Sequence, residues 1–101
     1  MKVYIVADIT VQNPETYQKY IDQVPATIAE HGGQYLVRAG KITGESKDWK
    51  PQGRLVIIEF PSQKKYEEWK NSEKYQTIAK IREKSSISRS FLVEGFEPSM
   101  K

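Results

Sequence analysis

Apolar residues crowd the start of the chain without a breaker: Val3, Tyr4, Ile5, Val6 and Ile9 within residues 2–10 predict a strand. Asn13-Pro14 marks a helix start, with Asn13 as cap, Pro14 at the first helical position and Glu15 complementing the dipole. Tyr17, Tyr20, Ile21, Val24 and Ile28 then recur at helical spacing toward His31, so one stripe of this helix must pack on a sheet. Pro25 lies inside the stripe and predicts a kink or a break near Val24. Gly32-Gly33 ends the helix, and Gln34 to Ala39 reads as a second strand.

Residues 40–53, rich in Gly, Lys, Asp and Pro, form a long connection carrying Trp49, read as a distorted hairpin. Arg54 to Phe60 is the third strand, closed by Pro61. Ser62 can cap a helix over 63–70, and Ser72 another over 73–83 with Tyr75, Ile78, Ala79 and Arg82 on one face. Ser90 to Glu94 is the last strand, and residues 96–101 read as a loose tail.

The order β-α-β-β-α-β, with helices crossing one face of a four-stranded sheet, is the α+β ferredoxin-like arrangement. A sheet wet on one side alternates apolar with polar residues. Here Val3, Ile5, Ala7 and Ile9 stand opposite Tyr4 and Val6, and Leu55 and Ile57 stand opposite Val56, Ile58 and Phe60. Helices can cover one of these apolar faces, so a second copy of the chain is expected to cover the other, giving a homodimer.

At 101 residues, 38% of them apolar, the chain holds one core, and a single domain over 1–95 is expected. Cysteine is absent, which removes disulfides, thiolate nucleophiles and cysteine metal sites. The N-terminal apolar run is too short for a signal peptide or a membrane span, so a cytoplasmic location and no membrane partner are expected. The net charge of +3 is spread along the chain, and Lys64-Lys65 is the one basic doublet, more in keeping with a solvated helix face than a phosphate-binding arm.

Several stretches together resemble a known family. They are Ala7-Asp8; Tyr17-x-x-Tyr20; Gly32-Gly33-x-Tyr35-Leu36-Val37-Arg38-x-Gly40; Trp49-x-Pro51; Arg54-Leu55-Val56-Ile57-Ile58-Glu59-Phe60-Pro61-Ser62; Trp69; Ser72-x-x-Tyr75-Gln76; Arg82; and Val93-Glu94-Gly95. This order and spacing, from Tyr4 to Gly95, is similar to the domain-of-unknown-function family numbered 1330, within the dimeric α+β barrel superfamily. The chain departs from that pattern at Gln63-Lys64-Lys65 and Glu73-Lys74, on expected helix surface. The resemblance implies a ferredoxin-like subunit that pairs sheet to sheet. It does not select a chemistry, because the wider superfamily includes cofactor-independent monooxygenases, isomerases, dehydratases and ligand-sensing domains.

The residues suggest where chemistry could lie. Arg38 stands mid-strand on a face with Leu36 and Gly40, where a buried guanidinium needs a partner: a carboxylate ligand, or one of Asp8, Glu59 and Glu94. Arg82 extends the stripe of Tyr75, Ile78 and Ala79 by one turn and could close a pocket, or pack its stem and leave its head in water or bonded to helix-end carbonyls. Asp8, after four apolar residues, could be a general base with a raised pKa, pair with Arg38 or cap a loop. His31 could be a proton shuttle at a pocket rim, or simply end the helix. Trp49, Tyr66, Trp69 and Tyr75 could line an aromatic pocket between helices and sheet, or serve as core.

One histidine without cysteine suits no ordinary zinc or haem site, and no phosphate-binding, dinucleotide-binding or nucleophile-elbow motif is present. No metal and no cofactor are expected. The RNA-recognition motif shares the element order, but Arg54 to Phe60 lacks its stacking aromatics, so no nucleic acid is expected. Acylphosphatase shares it too, but needs a glycine-rich phosphate loop where this chain has Ile9 to Asn13. The reading that remains is a small dimeric protein binding an organic acid, with Arg38, Arg82, Trp69 and Tyr75 as binding residues and Asp8 or His31 moving a proton in a cofactor-independent reaction. The alternative is a non-catalytic interaction or regulatory domain.

Overall fold

The computed structural model describes residues 1–98. Its elements are β1 (Val3–Val11), α1 (Pro14–Glu30), β2 (Gln34–Arg38), β3 (Arg54–Phe60), α2 (Gln63–Asn71), α3 (Glu73–Ser85) and β4 (Ser86–Glu94). The four strands form one antiparallel sheet in the order β2-β3-β1-β4. This is the expected α+β ferredoxin-like architecture, its second helical segment divided at Ser72. Part of the expected tail, residues 99–101, lies outside the described residues.

Local chemistry sets the helix ends. Asn13 Oδ1 accepts from the Thr16 N–H at 3.1 Å, Ser62 Oγ from Lys65 at 3.1 Å and Ser72 Oγ from Tyr75 at 3.2 Å, each satisfying a donor that the first turn leaves over. Gly32 takes φ +76° just past α1, the left-handed turn expected there. At the opposite side of the molecule the Ser85 carbonyl accepts from both Gln12 and Asn13 N–H groups, tying the end of α3 to the start of α1.

One expected alternative, a break in α1, is absent, and one strand is longer than expected. α1 runs unbroken through Pro25. The proline removes one helical bond, that to the Ile21 carbonyl, while Tyr20, Val24 and Ile28 on either side are buried against the core and hold the two halves together. β4 begins at Ser86 rather than Ser90 and continues directly from α3. Its early residues Ser86 and Ser88 face the helices through pairing with Val11 and Ile9, a polar alternation that does not read as strand.

The core lies between the sheet and the helices. Val3, Ile9, Val56, Ile58 and Phe60 project from the sheet onto Tyr17, Tyr20, Val24 and Ile28 of α1, Trp69 of α2, and Tyr75, Ile78 and Ala79 of α3. Gly53 precedes β3 where the chain passes so close to β1 that a Cβ would lie 2.1 Å from the Ile9 carbonyl oxygen. The far face of the sheet carries Val6, Leu55, Ile57 and, on β4, the exposed Ile87, Phe91 and Val93. Among the described residues no helix is long and apolar enough to cross a membrane.

Candidate functional site

A cavity of about 310 Å³ opens between the helices and the sheet, at the lower end of the ~300–1,000 Å³ range of small-molecule sites. Its floor is Ile5, Ala7 and Ile9 of β1 with Val56 and Ile58 of β3, and its aromatic walls are Tyr17, Tyr20, Tyr35, Tyr66, Trp69 and Tyr75. The aromatics are locked against one another: Trp69 and Tyr75 have ring centroids 4.0 Å apart, and the Tyr20 and Tyr75 hydroxyls lie 3.2 Å apart. Trp69 Nε1 donates to Thr27 Oγ1 at 3.0 Å, fixing the indole against α1.

Three arginines line this cavity, each brought by a different element. Arg54 opens β3, donates from Nη1 to the Tyr17 hydroxyl at 3.2 Å, and stacks over the Tyr17 ring at 5.4 Å. Arg82 of α3 donates to Ser88 Oγ of β4 at 2.7 Å. Arg38 ends β2 with its guanidinium 4.7 Å from the Tyr35 ring centre and a long 3.5 Å contact to the Ile21 carbonyl.

Strict alternation would put Arg38 on the side of Leu36, away from the helices. The structure corrects this through a bulge: Tyr35 pairs with Ile58, Val37 with Ile57 and Arg38 with Val56, so one extra residue is inserted around Leu36. Tyr35 and Arg38 therefore share the helix-facing side, and Leu36 is left 50% exposed. Arg38 is exposed rather than buried, and pairs with none of Asp8, Glu59 or Glu94.

The electrostatics of the cavity are one-sided. Arg38, Arg54, Lys70 and Arg82 line it against one carboxylate, Glu83. No Asp or Glu among the described residues forms an ion pair with any of the three arginines. Burial pushes the Tyr20 phenol well above its ordinary pKa, with the neighbouring Tyr75 adding to the rise, and burial raises Tyr17 against the pull of Arg54. These phenols are neutral donors at physiological pH and cannot neutralise the guanidinium groups.

Of the residues expected from sequence, Arg38, Trp69, Tyr75 and Arg82 meet in this cavity, together with Tyr66. Asp8 does not line it. It faces the other side of the sheet, where its carboxylate accepts from the Gln52 and Gly53 N–H groups at 3.0 and 2.8 Å and pairs with Arg89 at 2.8 Å. The expected raised carboxyl is thus corrected: the Gln52 N–H, then Arg89 and the Gly53 N–H, hold it below its ordinary value. Asp8 caps a loop, one of its expected roles, and its cationic partner is Arg89 in place of Arg38.

His31 also lies outside the cavity, at the end of α1, with Nδ1 2.9 Å from the Thr27 carbonyl. Trp49 is not part of the aromatic pocket. It is 81% exposed in the 40–53 loop and borders a separate groove with Val6, Leu55 and Phe91 on the far face of the sheet. The sequence reading missed Arg54, Tyr17, Tyr20 and Tyr35 as pocket residues. For Arg54 a signal existed, since it shares the alternation of Val56 and Ile58 and so belongs on the helix side.

Solved structures of similar fold span nearly the whole chain. A Rhodopseudomonas palustris protein of unknown function superposes with a TM-score of 0.74 at 15% identity, covering 96% of this chain and 84% of that one. SnoaB, a cofactor-independent oxygenase from Streptomyces nogalater, gives 0.65 at 14% identity over 99% and 98%. An antibiotic biosynthesis monooxygenase gives 0.55 at 16% identity over 96% and 100%. At such identities the likeness is one of fold. No curated protein sequence matches the chain. The sequence profile described as Domain of unknown function (DUF1330) matches residues 2–96, nearly the entire described structure including every cavity residue, and the chain belongs to that family.

Proposed function

We propose that this protein binds a small organic acid in the cavity between helices and sheet. The observation that carries the reading is the set of three arginines on an aromatic-walled pocket with no protein carboxylate paired to them. Arg54 and Arg82 are partly out of water and Arg38 stands at the rim, and a planar carboxylate fits the fork of a guanidinium that has no protein anion. The apolar floor and stacked rings favour a ligand with a flat apolar body. A paired guanidinium beside a filled core would have favoured a purely structural domain instead.

We further propose that the working unit is a homodimer in which a second copy covers the far face of the sheet. Ile87, Phe91 and Val93, each at least 46% exposed, join Val6, Leu55 and Ile57 in a continuous apolar stretch of the far face that a second copy would cover. Catalysis without a cofactor, the activity named for SnoaB, would be an elaboration of the same binding site. In that case Glu83 is the one lining carboxylate available as a base, since neither Asp8 nor His31 borders the cavity.

The test is calorimetric titration with benzoate against benzamide, which share shape and differ in charge. Benzoate is expected to bind and benzamide to bind at least tenfold more weakly. Equal binding of the two, or none by either, would remove the organic-acid reading.

A further inference from the structure

We infer that the ligand carries two acid groups, one at each end of its flat body. This rests on the reading above that the cavity takes an organic acid. The register of the sheet separates the cationic groups into two subsites. Ile9 of β1 pairs with Arg54 of β3 on one side and with Ser88 of β4 on the other, so the three residues form one row across the sheet. A strand spacing of about 4.8 Å then puts the Arg54 and Ser88 backbones roughly 10 Å apart.

Arg82 is held at the β4 end of this row by its 2.7 Å bond to Ser88 Oγ. Arg38 belongs to the other end. It pairs with Val56, which lies two residues along β3 from Arg54 on the same face, so Arg38 and Arg54 are neighbours on the β2–β3 side. Arg54 is anchored there by the Tyr17 hydroxyl. One subsite thus holds two guanidinium groups and the other holds one, with the Ser88 and Ser90 hydroxyls beside it. Between them lies the apolar floor of Ala7 and Ile9.

A ligand with a single carboxylate, bound at Arg38 and Arg54, leaves Arg82 without an ion-paired anion, since Glu83, the one carboxylate on the lining, acts on it only through space. A second acid group at the far end satisfies it, and the Ser88 and Ser90 hydroxyls can donate to the same group. The intervening stretch is bounded by Tyr20 and Tyr75, which lie edge-on to each other beside the apolar floor. The ligand class is therefore a rigid, flat dicarboxylate or an equivalent dianion.

The experiment compares terephthalate with 4-carbamoylbenzoate, which has the same outline and one charge fewer, and with the uncharged terephthalamide, by calorimetry on the unsubstituted protein. Terephthalate is expected to bind at least tenfold more tightly than 4-carbamoylbenzoate. In Arg82→Gln that gap should close, terephthalate falling to the affinity of the monoacid. Equal affinities of the two acids for the unsubstituted protein, both above terephthalamide, would overturn the two-acid inference and leave the organic-acid reading standing. If neither acid outbinds terephthalamide, both fall.

Discussion

Arg38 directs Nη2 at the carbonyl oxygen of Ile21 at 3.5 Å, and that carbonyl is the one Pro25 leaves without a helical donor. An arginine from the edge of the sheet thus answers a vacancy created by a proline in the helix above it. The contact links the path of α1 to the position of a cavity side chain, because Ile21 and Arg38 both border the cavity.

Pro25→Ala restores an N–H that can reach Ile21 and exchanges the poorest interior helix former for the best. Unfolding in urea should require more denaturant, with stability raised by about 1–3 kcal/mol. A midpoint at or below that of the unsubstituted protein would mean that the proline is already accommodated without strain.

Arg38→Ala separates binding from stability. The side chain is exposed and pairs with no carboxylate, and its stacking on Tyr35 contributes at most about 1 kcal/mol. Stability should change by less than about 1 kcal/mol while benzoate affinity drops tenfold or more. A thermal melt that collapses while benzoate affinity holds would assign Arg38 a structural role only.

Asp8 makes stability pH-dependent in a known direction. Its folded pKa is depressed by the Gln52 N–H, Arg89 and the Gly53 N–H, so its contribution is fully present above the unfolded carboxylate pKa of 3.8. It is lost as pH falls below that value through the folded one. Asp8→Asn should therefore lower stability at pH 7 and narrow the difference between pH 7 and pH 3. Parallel pH profiles for the two proteins, offset by a constant, would contradict the assignment.

Phe91→Glu addresses the assembly. Phe91 is 59% exposed on the far face of the sheet, outside the core, so one subunit should fold with the substitution in place. Light scattering at micromolar concentration should report a dimer for the unsubstituted protein and a monomer for the variant, because an unpaired charge is placed in an apolar contact. A single-subunit mass for the unsubstituted protein would remove the dimer proposal.

The fold was largely legible because its signals are local and period-based: Asn13-Pro14, Gly32-Gly33, Ser62 and Ser72 punctuate the chain where the elements do end. What escaped depends on pairing between distant segments. A bulge at Leu36 is invisible to a count of two along β2, and it alone turns Arg38 toward the helices. The serines of β4 lowered its strand signal because that strand faces a polar part of the cavity, so the feature that hid the element belongs to the site. Asp8 looked like a buried base because four apolar residues precede it, yet its partners come from residues 52, 53 and 89. Trp49 carries the composition of a pocket wall and lies on the opposite side of the sheet.

Gly53 touches no ligand-facing surface, yet the cationic end of the cavity depends on its lack of a side chain. Even a single methyl group there would drive the chain away from the Ile9 carbonyl, and the next residue to move would be Arg54. In a saturation library position 53 should behave like a binding residue, whereas Gly40, with open space around it, should accept almost anything.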